Sequence, residues 1–521
     1  MTELPDLVPA ELRQSWVDRG WCPNSDLYTL FHAGVAAHPE RPAVIDDDGP
    51  CDYAALDDLA LRWAGVLLDA GLGIGDIIGI QLPNGRHAVA AELGVAAIGA
   101  VALPFPVDRG QPDTLSLLGR SGARAHVAGG PRPDPPASRA ALAPANLGDP
   151  VPRHRLPAHI DYRCAARILV SSGSEAEPKM IAYSHQAMAG GRGNYLRALH
   201  TSPDPMRNLV LVPLSSSFGS LGVVTLTAGG TLLVRSSFAA DTALRTITEH
   251  RPTILFAVPT MLRRMAECPA AAGENLRSLA RVVSSGAALP AATADACMAR
   301  FGRPVTNVYG SADGVNCHTG NLGRTGPAPV GCVGRPDPAV AEIRIVDAAG
   351  EPVPAGQDGE ICALGPMTPM CYLNSPELNA RYRLSGGWVR TGDRGVLDAA
   401  GRLHVLSRIK QVIIRGGENI SPAEIERQLG AHPAIAEVAC VPVLDPDLGE
   451  RVCACVAFRP RADPLGLAAL NGFLRHDRGM SQRKLPEFLL VLPELPLGPT
   501  GKICRRTLTR LAAGQASVRC H

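Results

Sequence analysis

The sequence predicts an α/β protein with a large N-terminal domain of doubly wound, mostly parallel sheets, a small β-rich subdomain and a small α+β C-terminal domain. Its 521 residues are enough for two or more domains. Strand and helix patterns alternate up to about residue 284, which is typical of a parallel sheet covered on both faces. Short strands and turns follow Gly331, and a separate pattern of helices and strands begins near Val412.

The individual elements follow from the spacing of apolar residues. Helical spacing predicts helices over residues 27–38 and 53–70, and Ser184 is suited to cap a helix that begins near His185. A Ser421-Pro422 pair predicts the start of the first C-terminal helix, and the Pro- and Gly-rich segment 129–157 predicts a surface loop. Strands are predicted at residues 77–82, 167–171, 180–183, 209–212, 231–234, 254–257, 282–284, 342–346, 359–364, 388–391 and 403–406.

Three features predict a cytoplasmic protein with no membrane partner. The apolar run 88–103 contains Glu92 and ends at Pro104, so it predicts a buried helix rather than a membrane span. The N-terminus has neither a basic start nor an apolar core, as a secretory signal would. The 14 cysteines include no Cys-x-x-Cys pair, which favours reduced thiols.

The charged residues argue against a nucleic-acid partner and single out the lysines. With 51 basic and 49 acidic residues the chain has no excess of positive charge, so no nucleic-acid partner is predicted. Only four of the basic residues are lysines, in a chain that otherwise uses arginine. Lysine provides a compact point charge on a flexible stem, so each one is a candidate for a specific role. They are Lys179, Lys410, Lys484 and Lys502.

A polar loop after a predicted strand is a candidate phosphate-binding segment. It reads Ser171-Ser172-Gly173-Ser174-Glu175-Ala176-Glu177-Pro178-Lys179. Small residues let backbone N–H groups approach phosphate oxygens, and the lysine adds positive charge. The spacing is not that of a Walker A loop, and an ordinary polar loop between two strands is the alternative.

Two further motifs contain a carboxylate near a strand end. In Tyr309-Gly310-Ser311-Ala312-Asp313-Gly314 the ring can stack on a base and the carboxylate can hold Mg²⁺, although a plain turn is the alternative. In Trp388-Val389-Arg390-Thr391-Gly392-Asp393 the carboxylate can accept hydrogen bonds from ribose hydroxyls.

The remaining motifs lie near and beyond the predicted domain junction. The segment 407–411 carries Arg408 and Lys410, and a Gly416-Gly417 loop precedes a helix; a linker and a helix-entry turn are the alternatives. Lys502 lies in the Gly-rich segment 498–503, where a hairpin is the alternative. The Gly71-Leu72-Gly73-Ile74-Gly75 string predicts only a turn, because it precedes a strand instead of following one. No Gly-x-Ser-x-Gly occurs, which argues against a serine hydrolase.

Taken together, the order and spacing of these motifs resemble those of the adenylate-forming superfamily. That superfamily includes acyl-CoA synthetases, aryl-acid adenylating enzymes, adenylation domains of peptide synthetases and firefly luciferase. The likeness runs from about residue 26 to residue 510, and it looks closest to the stand-alone aryl-acid AMP ligases. All four lysines fall on positions that the family pattern uses.

The resemblance implies a role for each matching residue at the nucleotide. The β- and γ-phosphates would be held by the segment 171–179, adenine would stack on Tyr309, Asp393 would bind the ribose, and Arg408 would lie near the nucleotide. The complete implied nucleotide-binding set is Ser171, Ser172, Gly173, Ser174, Lys179, Gly286, Ala287, Ala288, Tyr309, Gly310, Asp393 and Arg408.

The family resemblance also implies which residues are catalytic, which bind the metal and which bind the substrate. Lys502 would bridge the substrate carboxylate and the α-phosphate, Lys410 would lie at a hinge, and Asp313 would bind Mg²⁺. The implied substrate pocket contains Ser216, Ser217, Phe218, Gly286, Gly310 and Gly314.

The implied activity is the ATP-dependent conversion of a small carboxylic acid to its acyl-adenylate, followed by transfer to the thiol of CoA or of a carrier protein's phosphopantetheine. Residues 1–407 would form the N-terminal domain and 408–411 the hinge. Residues 412–521 would form a mobile C-terminal lid. After adenylation this lid would swing to withdraw Lys502 and present the loop at residues 416–417 to the thiol donor.

The chain departs from the family pattern at several positions. Glu175 and Ala176 replace a Thr and a Gly of the phosphate loop, and a carboxylate about 5 Å from a phosphate costs about 3 kcal/mol. Asp313 replaces the usual Glu, and Ser216 replaces a common His. The serine favours an aromatic or polar-substituted acid, whereas Glu175 motivates an alternative: a catalytically weakened homologue that binds nucleotide or acyl ligand without turnover.

Overall fold

The structure is a computed structural model that describes residues 4–129, 140–171, 178–319, 332–409, 411–415, 418–460, 462–498 and 501–518. Its helices are α1 (Ala10–Asp18), α2 (Leu27–Ala37), α3 (Tyr53–Asp69), α4 (Arg86–Ala97), α5 (Gln111–Ser121), α6 (Gly193–Leu199), α7 (Leu221–Thr227), α8 (Ala240–His250), α9 (Pro259–Glu267), α10 (Ala291–Phe301), α11 (Pro376–Tyr382), α12 (Pro422–Leu429), α13 (Leu467–Gly472) and α14 (Arg505–Val518).

The strands of the large N-terminal domain are β1 (Pro42–Asp46), β2 (Gly49–Asp52), β3 (Ile77–Gln81), β4 (Val101–Pro104), β5 (Ala125–Ala128), β6 (Ala140–Leu142), β7 (Ala165–Val170), β8 (Met180–Ser184), β9 (Arg207–Val210), β10 (Thr231–Val234), β11 (Ile254–Ala257), β12 (Arg281–Ser284), β13 (Val305–Gly310), β14 (Asn316–His318), β15 (Arg335–Pro336) and β18 (Cys371–Tyr372). The β-rich subdomain contains β16 (Glu342–Val346), β17 (Asp358–Leu364), β19 (Val389–Leu397) and β20 (Leu403–Arg408), and the C-terminal part contains β21 (Ile413–Arg415), β22 (Glu418–Ile420), β23 (Ile435–Asp445), β24 (Gly449–Phe458) and β25 (Phe488–Val491).

Two large sheets form the N-terminal domain, and both are mostly parallel. One has nine strands in the order β15-β14-β13-β12-β11-β9-β10-β1-β2, and only its ends pair antiparallel. The other has seven strands in the order β18-β8-β7-β4-β3-β5-β6, with an antiparallel β7–β8 hairpin. The predicted α/β class is therefore confirmed.

Two smaller sheets complete the fold. Strands β16, β17, β19 and β20 form an antiparallel sheet, which is the predicted β-rich subdomain. The C-terminal sheet has the order β22-β21-β24-β23, and β25 pairs parallel with β24. Helices α12 and α14 pack on β23, as expected for a small α+β unit.

Helix α4 lies in the centre of the N-terminal domain. Every residue from Ala88 to Ala97 is buried, because the helix contacts strand β1 of one large sheet and strands β3 and β4 of the other. Its one acidic residue, Glu92, pairs with Arg167 of β7 at 2.9 Å, and both side chains are almost fully buried. A charge in such a place requires a partner of opposite sign.

Most predicted elements are present within one or two residues of their predicted limits, but three predictions need correction. The apolar run 88–103 is not one helix: it splits into α4 and β4 around Gly99, which has φ +70°. The described part of segment 129–157 contains strand β6 and two 3₁₀ turns, because β6 pairs with β5. Ser421 occupies the N-cap of α12, yet its hydroxyl makes no capping hydrogen bond. No helix in the described ranges is long and apolar enough to cross a membrane.

Candidate active site

A cavity of about 2190 Å³ lies between the N-terminal domain and the C-terminal sheet. It collects most of the predicted site residues. Those in its lining are Ser171, Lys179, Ser216, Ser217, Phe218, Gly286, Ala287, Ala288, Tyr309, Gly310, Asp313, Asp393, Arg408 and Lys502.

Five predicted site residues are not in that group. Gly314 does not line the cavity; it has φ +91°, and a Cβ there would lie 2.7 Å from Pro369 Cδ. This glycine therefore permits close packing behind the site. The other four predicted site residues lie outside the described residues: Ser172, Gly173, Ser174 and Lys410. Glu175, Ala176 and the loop at 416–417 also lie outside them.

The order of the parallel strands explains why distant motifs meet here. Strands β9, β11, β12 and β13 are consecutive neighbours in the nine-stranded sheet, so their carboxyl ends lie at the same edge. The segments that follow three of them carry the cavity residues 215–218, 285–288 and 309–313. Ligands of open α/β sheets bind at this edge.

Asp313 is a buried carboxylate held by two hydroxyl groups. Tyr372 donates its hydroxyl to one carboxylate oxygen at 2.6 Å, and Ser311 donates to the other at 2.6 Å. The residue is only 5 % exposed. Because hydroxyl donors leave the negative charge in place, the carboxylate can still attract a cation.

Asp393 forms a second polar centre with partners from two elements. Strand register places it opposite Arg408, whose Nε lies 2.8 Å from the carboxylate, and Tyr309 donates its hydroxyl at 2.6 Å. Burial raises the pKa of Asp393, although the charge of Arg408 opposes the shift. Burial, followed by the neighbouring Asp393, also raises the pKa of Tyr309 well above its usual value. Tyr309 therefore stays a protonated donor that fixes its ring against this wall of the cavity.

Lys502 reaches the cavity from a tight turn in the C-terminal part. Gly498 N–H donates to the Lys502 carbonyl at 2.7 Å, and Thr260 of α9 donates its hydroxyl to the Gly501 carbonyl at 3.2 Å. Gly286 has φ +91°, a conformation that favours glycine, and a Cβ there would lie 2.8 Å from Lys502 Cε, so the glycine leaves room for this approach. The Lys502 side chain is open to the cavity but surrounded by protein, and this desolvation, with Arg408, lowers its pKa.

Ion pairs along α9 hold the C-terminal part in this position. Arg263 lies 3.0 Å from Glu437 of β23, and both side chains are mostly buried. The next residue, Arg264, pairs with the more exposed Glu494 at 2.5 Å. The arrangement therefore places Lys502 within the same cavity as Asp313 and Asp393.

Two tyrosines that the sequence did not single out surround Lys179. Its ammonium lies 3.4 Å from the ring centroid of Tyr382 and 5.3 Å from that of Tyr372. Within the described ranges no carboxylate lies within the 4.0 Å limit of an ion pair with this ammonium. An aromatic face holds a cation without neutralising it, so the charge remains available to an anion in the cavity.

The acyl-pocket serines have different environments. The Ser216 hydroxyl donates to the Pro213 carbonyl at 2.7 Å and accepts from Gly219 N–H at 2.9 Å, so the turn itself uses this hydroxyl. Phe218 packs edge-to-face on Phe256 at 5.4 Å. Ser217 accepts hydrogen bonds from the buried Arg192, a third residue that no sequence pattern had indicated.

These donors and acceptors fit a nucleoside triphosphate with a divalent cation. Cationic Lys179 and Lys502 and the carboxylate of Asp313 share one cavity, so phosphates and a cation can be compensated together. Mg²⁺ is usually bound by one or two carboxylates and by substrate phosphates, so the carboxylate of Asp313 is suited to hold it.

Comparison with known proteins identifies the family. The model of the AMP-binding enzyme family matches residues 31–373, and that of the AMP-binding enzyme C-terminal domain matches residues 424–502. A salicylyl-CoA synthase / salicylate adenylyltransferase from Streptomyces sp is 32% identical, with 98% of this chain and 97% of the relative covered.

Two further proteins are similar over nearly the whole chain. A salicyl-AMP ligase / salicyl-S-ArCP synthetase from Mycobacterium tuberculosis is 31% identical, covering 98% of this chain and 96% of the relative. The solved structure of an amide bond synthetase from Marinactinospora thermotolerans matches with a TM-score of 0.78 and 27% identity, covering 94% of this chain and 100% of that one. The chain therefore belongs to the AMP-binding enzyme family, and it is an AMP-forming acid–thiol ligase.

Proposed function

We propose that this ligase activates a small aromatic or polar-substituted carboxylic acid with ATP and Mg²⁺, and passes the acyl group to CoA or to the phosphopantetheine of an acyl or aryl carrier protein. The observation that carries the proposal is the approach of Lys502 to the cavity that Asp313 and Asp393 line. The two relatives named for salicylate support an aryl acid as the substrate class.

The chemistry requires two anions to react, and this chain supplies the compensating charges. The acid's carboxylate attacks the α-phosphorus of ATP, and the bond to pyrophosphate breaks. Lys502 neutralises the charge that develops between the reacting groups, and Lys179 stabilises the phosphates that leave. Mg²⁺, when bound at Asp313, supplies further positive charge for the phosphate oxygens.

The other residues position the nucleotide. Asp393 accepts hydrogen bonds from the ribose hydroxyls, with Arg408 keeping the carboxylate charged, and Tyr309 stacks on adenine. We propose that Ser171, the segment 172–174 and residues 286–288 make the remaining contacts to the phosphates and to the acyl group. Ser217, Phe218 and Gly310 contact the acid, with Ser216 fixing the turn that carries them.

The second half-reaction requires the C-terminal domain to move. We assign residues 1–407 to the N-terminal domain, 408–411 to the hinge that contains Lys410, and 412–521 to the lid. Rotation about the hinge breaks the contacts of α9 with Glu437 and Glu494 and withdraws Lys502. These are few and polar contacts, as a moving interface needs.

Acid-dependent exchange of labelled pyrophosphate into ATP tests the proposal. We expect exchange with at least one acid of a panel of aryl, amino and short acyl acids, and none without acid. Binding of ATP with no exchange for any of these acids would support the alternative of a catalytically weakened homologue. A clear preference for long fatty acids would contradict the proposed substrate class.

Replacement of Tyr382 by Leu tests the aromatic support of Lys179. The change removes a cation–π contact worth about 0.5–2 kcal/mol, so we expect KM for ATP to rise about 2- to 30-fold. Tyr382→Phe is the matched control, because it keeps the ring and should leave KM for ATP close to wild type. The same rise in both variants would show that the ring face does not position the lysine.

A further inference from the structure

Arg192 is a buried arginine in the wall of the acyl pocket with no role in the mechanism above. It is the last residue of a π-helical stretch, Ala187–Arg192, that leads into α6. Its side chain is only 2 % exposed, yet it lines the cavity beside Ser217 and Phe218. A long cation in such a position must find compensating groups.

The contacts of Arg192 satisfy only part of its donor capacity. One terminal nitrogen donates to the Ser217 carbonyl at 3.0 Å, and the other donates to the Ser217 hydroxyl at 3.4 Å. The guanidinium carbon lies 4.8 Å from the ring centroid of Tyr183. Nε is buried and has no hydrogen-bond partner. Since a guanidinium has five N–H donors, several remain unused.

The positive charge of Arg192 is also uncompensated. Within the described ranges no carboxylate lies within 4.0 Å of its guanidinium. The neighbouring buried cation, Arg167, has its own partner, because it pairs with Glu92 at 2.9 Å. Burial is the main cause that lowers the pKa of Arg167, and the charge of Arg192 contributes to the shift, so the two cations lie near each other. Among the described residues, the guanidinium of Arg192 therefore lines the acyl pocket without an ion-pair partner of its own.

We propose that Arg192 recognises a second anionic group on the acid substrate, separate from the carboxylate that reacts with ATP. The inference rests on the proposed function and narrows its substrate class to acids that carry a carboxylate, a sulfonate or an ionised phenol. The carbonyl and the hydroxyl of Ser217 accept hydrogen bonds from the guanidinium and so hold it in position. The substrate's oxyanion then accepts hydrogen bonds from the unused N–H groups of Arg192 and forms an ion pair with its guanidinium.

The geometry separates this role from those of the other cations. Lys502 enters from the C-terminal part, and Lys179 is held on the rings of Tyr372 and Tyr382. Arg192 instead contacts Ser217, which follows β9 and belongs to the acyl pocket. A substrate with its reacting carboxylate at Lys502 can thus place a substituent at Arg192.

Pyrophosphate release with matched acids tests the inference on the full chain. Benzoate is the reference acid. It is compared with 2-hydroxybenzoate and with the benzoates that carry a carboxylate or a sulfonate at position 2, 3 or 4, and kcat/KM is measured for each acid. One charge-assisted hydrogen-bonded contact corresponds to about a 10- to 150-fold preference, so we expect at least one anionic acid to exceed benzoate by that factor. In Arg192→Met the preference should disappear, while Arg192→Lys should retain part of it.

Arg197→Met is the control variant, since it removes the same charge from an exposed residue of α6 that does not line the cavity, and it should keep the preference. Equal kcat/KM for benzoate and every anionic acid in the wild type would overturn the inference while leaving the proposed function intact. So would an equal loss for all acids in a folded Arg192→Met variant. Failure to activate any acid would overturn the proposed function, and the inference with it. The wild-type comparison decides the matter even if the Met variant does not fold.

Discussion

Lys502→Ala is expected to lower the rate of acid-dependent pyrophosphate release by about 10²- to 10³-fold, the usual effect of removing one group that stabilises developing charge. The structure gives the reason: Thr260 fixes the turn that carries Lys502, and the side chain of Lys502 passes Gly286 to line the cavity. Transfer of the acyl group from supplied acyl-adenylate to a thiol should be largely preserved, because the proposed domain rotation would withdraw this residue.

Lys484→Ala provides the matched control for that variant. Lys484 is one of the four lysines, but it pairs with Glu424 at 2.8 Å and does not line the cavity. Its replacement should leave pyrophosphate release close to the wild-type rate. An equal loss of both half-reactions in Lys502→Ala would contradict the role assigned to Lys502.

Glu92→Gln is expected to destabilise the N-terminal domain by about 3–5 kcal/mol, the cost of leaving one member of a buried ion pair without its partner. Glu92 and Arg167 are 6 % and 2 % exposed, respectively, and their ion pair joins α4 to β7 at the centre of the domain. Chemical denaturation followed by tryptophan fluorescence measures the change, because Trp63 lies in the same core.

Asp241→Ala is the control, because it breaks an ion pair with Arg245 in which both side chains are about 60 % exposed. Exposed pairs contribute about 0–1 kcal/mol, so the denaturation midpoint should barely move. If Glu92→Gln changed the midpoint as little as Asp241→Ala, the buried pair would not stabilise the domain in the way described.

Most of the site residues predicted from the sequence line the cavity. Hydroxyl-rich and Gly-rich strings, with a lysine or aspartate at a fixed offset, are visible within a few residues of each other. Such strings, together with the family resemblance, singled out Lys179, Asp313, Asp393 and Lys502, and the structure places these four residues around one cavity. The scarcity of lysine strengthened the choice, because a chain that prefers arginine uses lysine where a point charge is needed.

The partners of those residues could not be chosen in this way. Tyr372 donates to Asp313 across 59 residues of sequence, and Tyr382 lies on Lys179 across about two hundred. The contact between Arg192 and Ser217 likewise joins a helical stretch to a loop after another strand. Neither the periodicity nor the composition of the segments around these tyrosines and this arginine indicates a contact with a site residue.

The sequence by itself determined the types and order of the elements and the residues that carry charge into the site, because periodicity and turn chemistry act over a few residues. Only the tertiary structure decided which side chains hold those charges and which charge is left uncompensated. The order of strands β13-β12-β11-β9, and the packing of α9 against the C-terminal part, depend on contacts between residues far apart in the chain. Desolvation and charge pairing act only once those contacts exist.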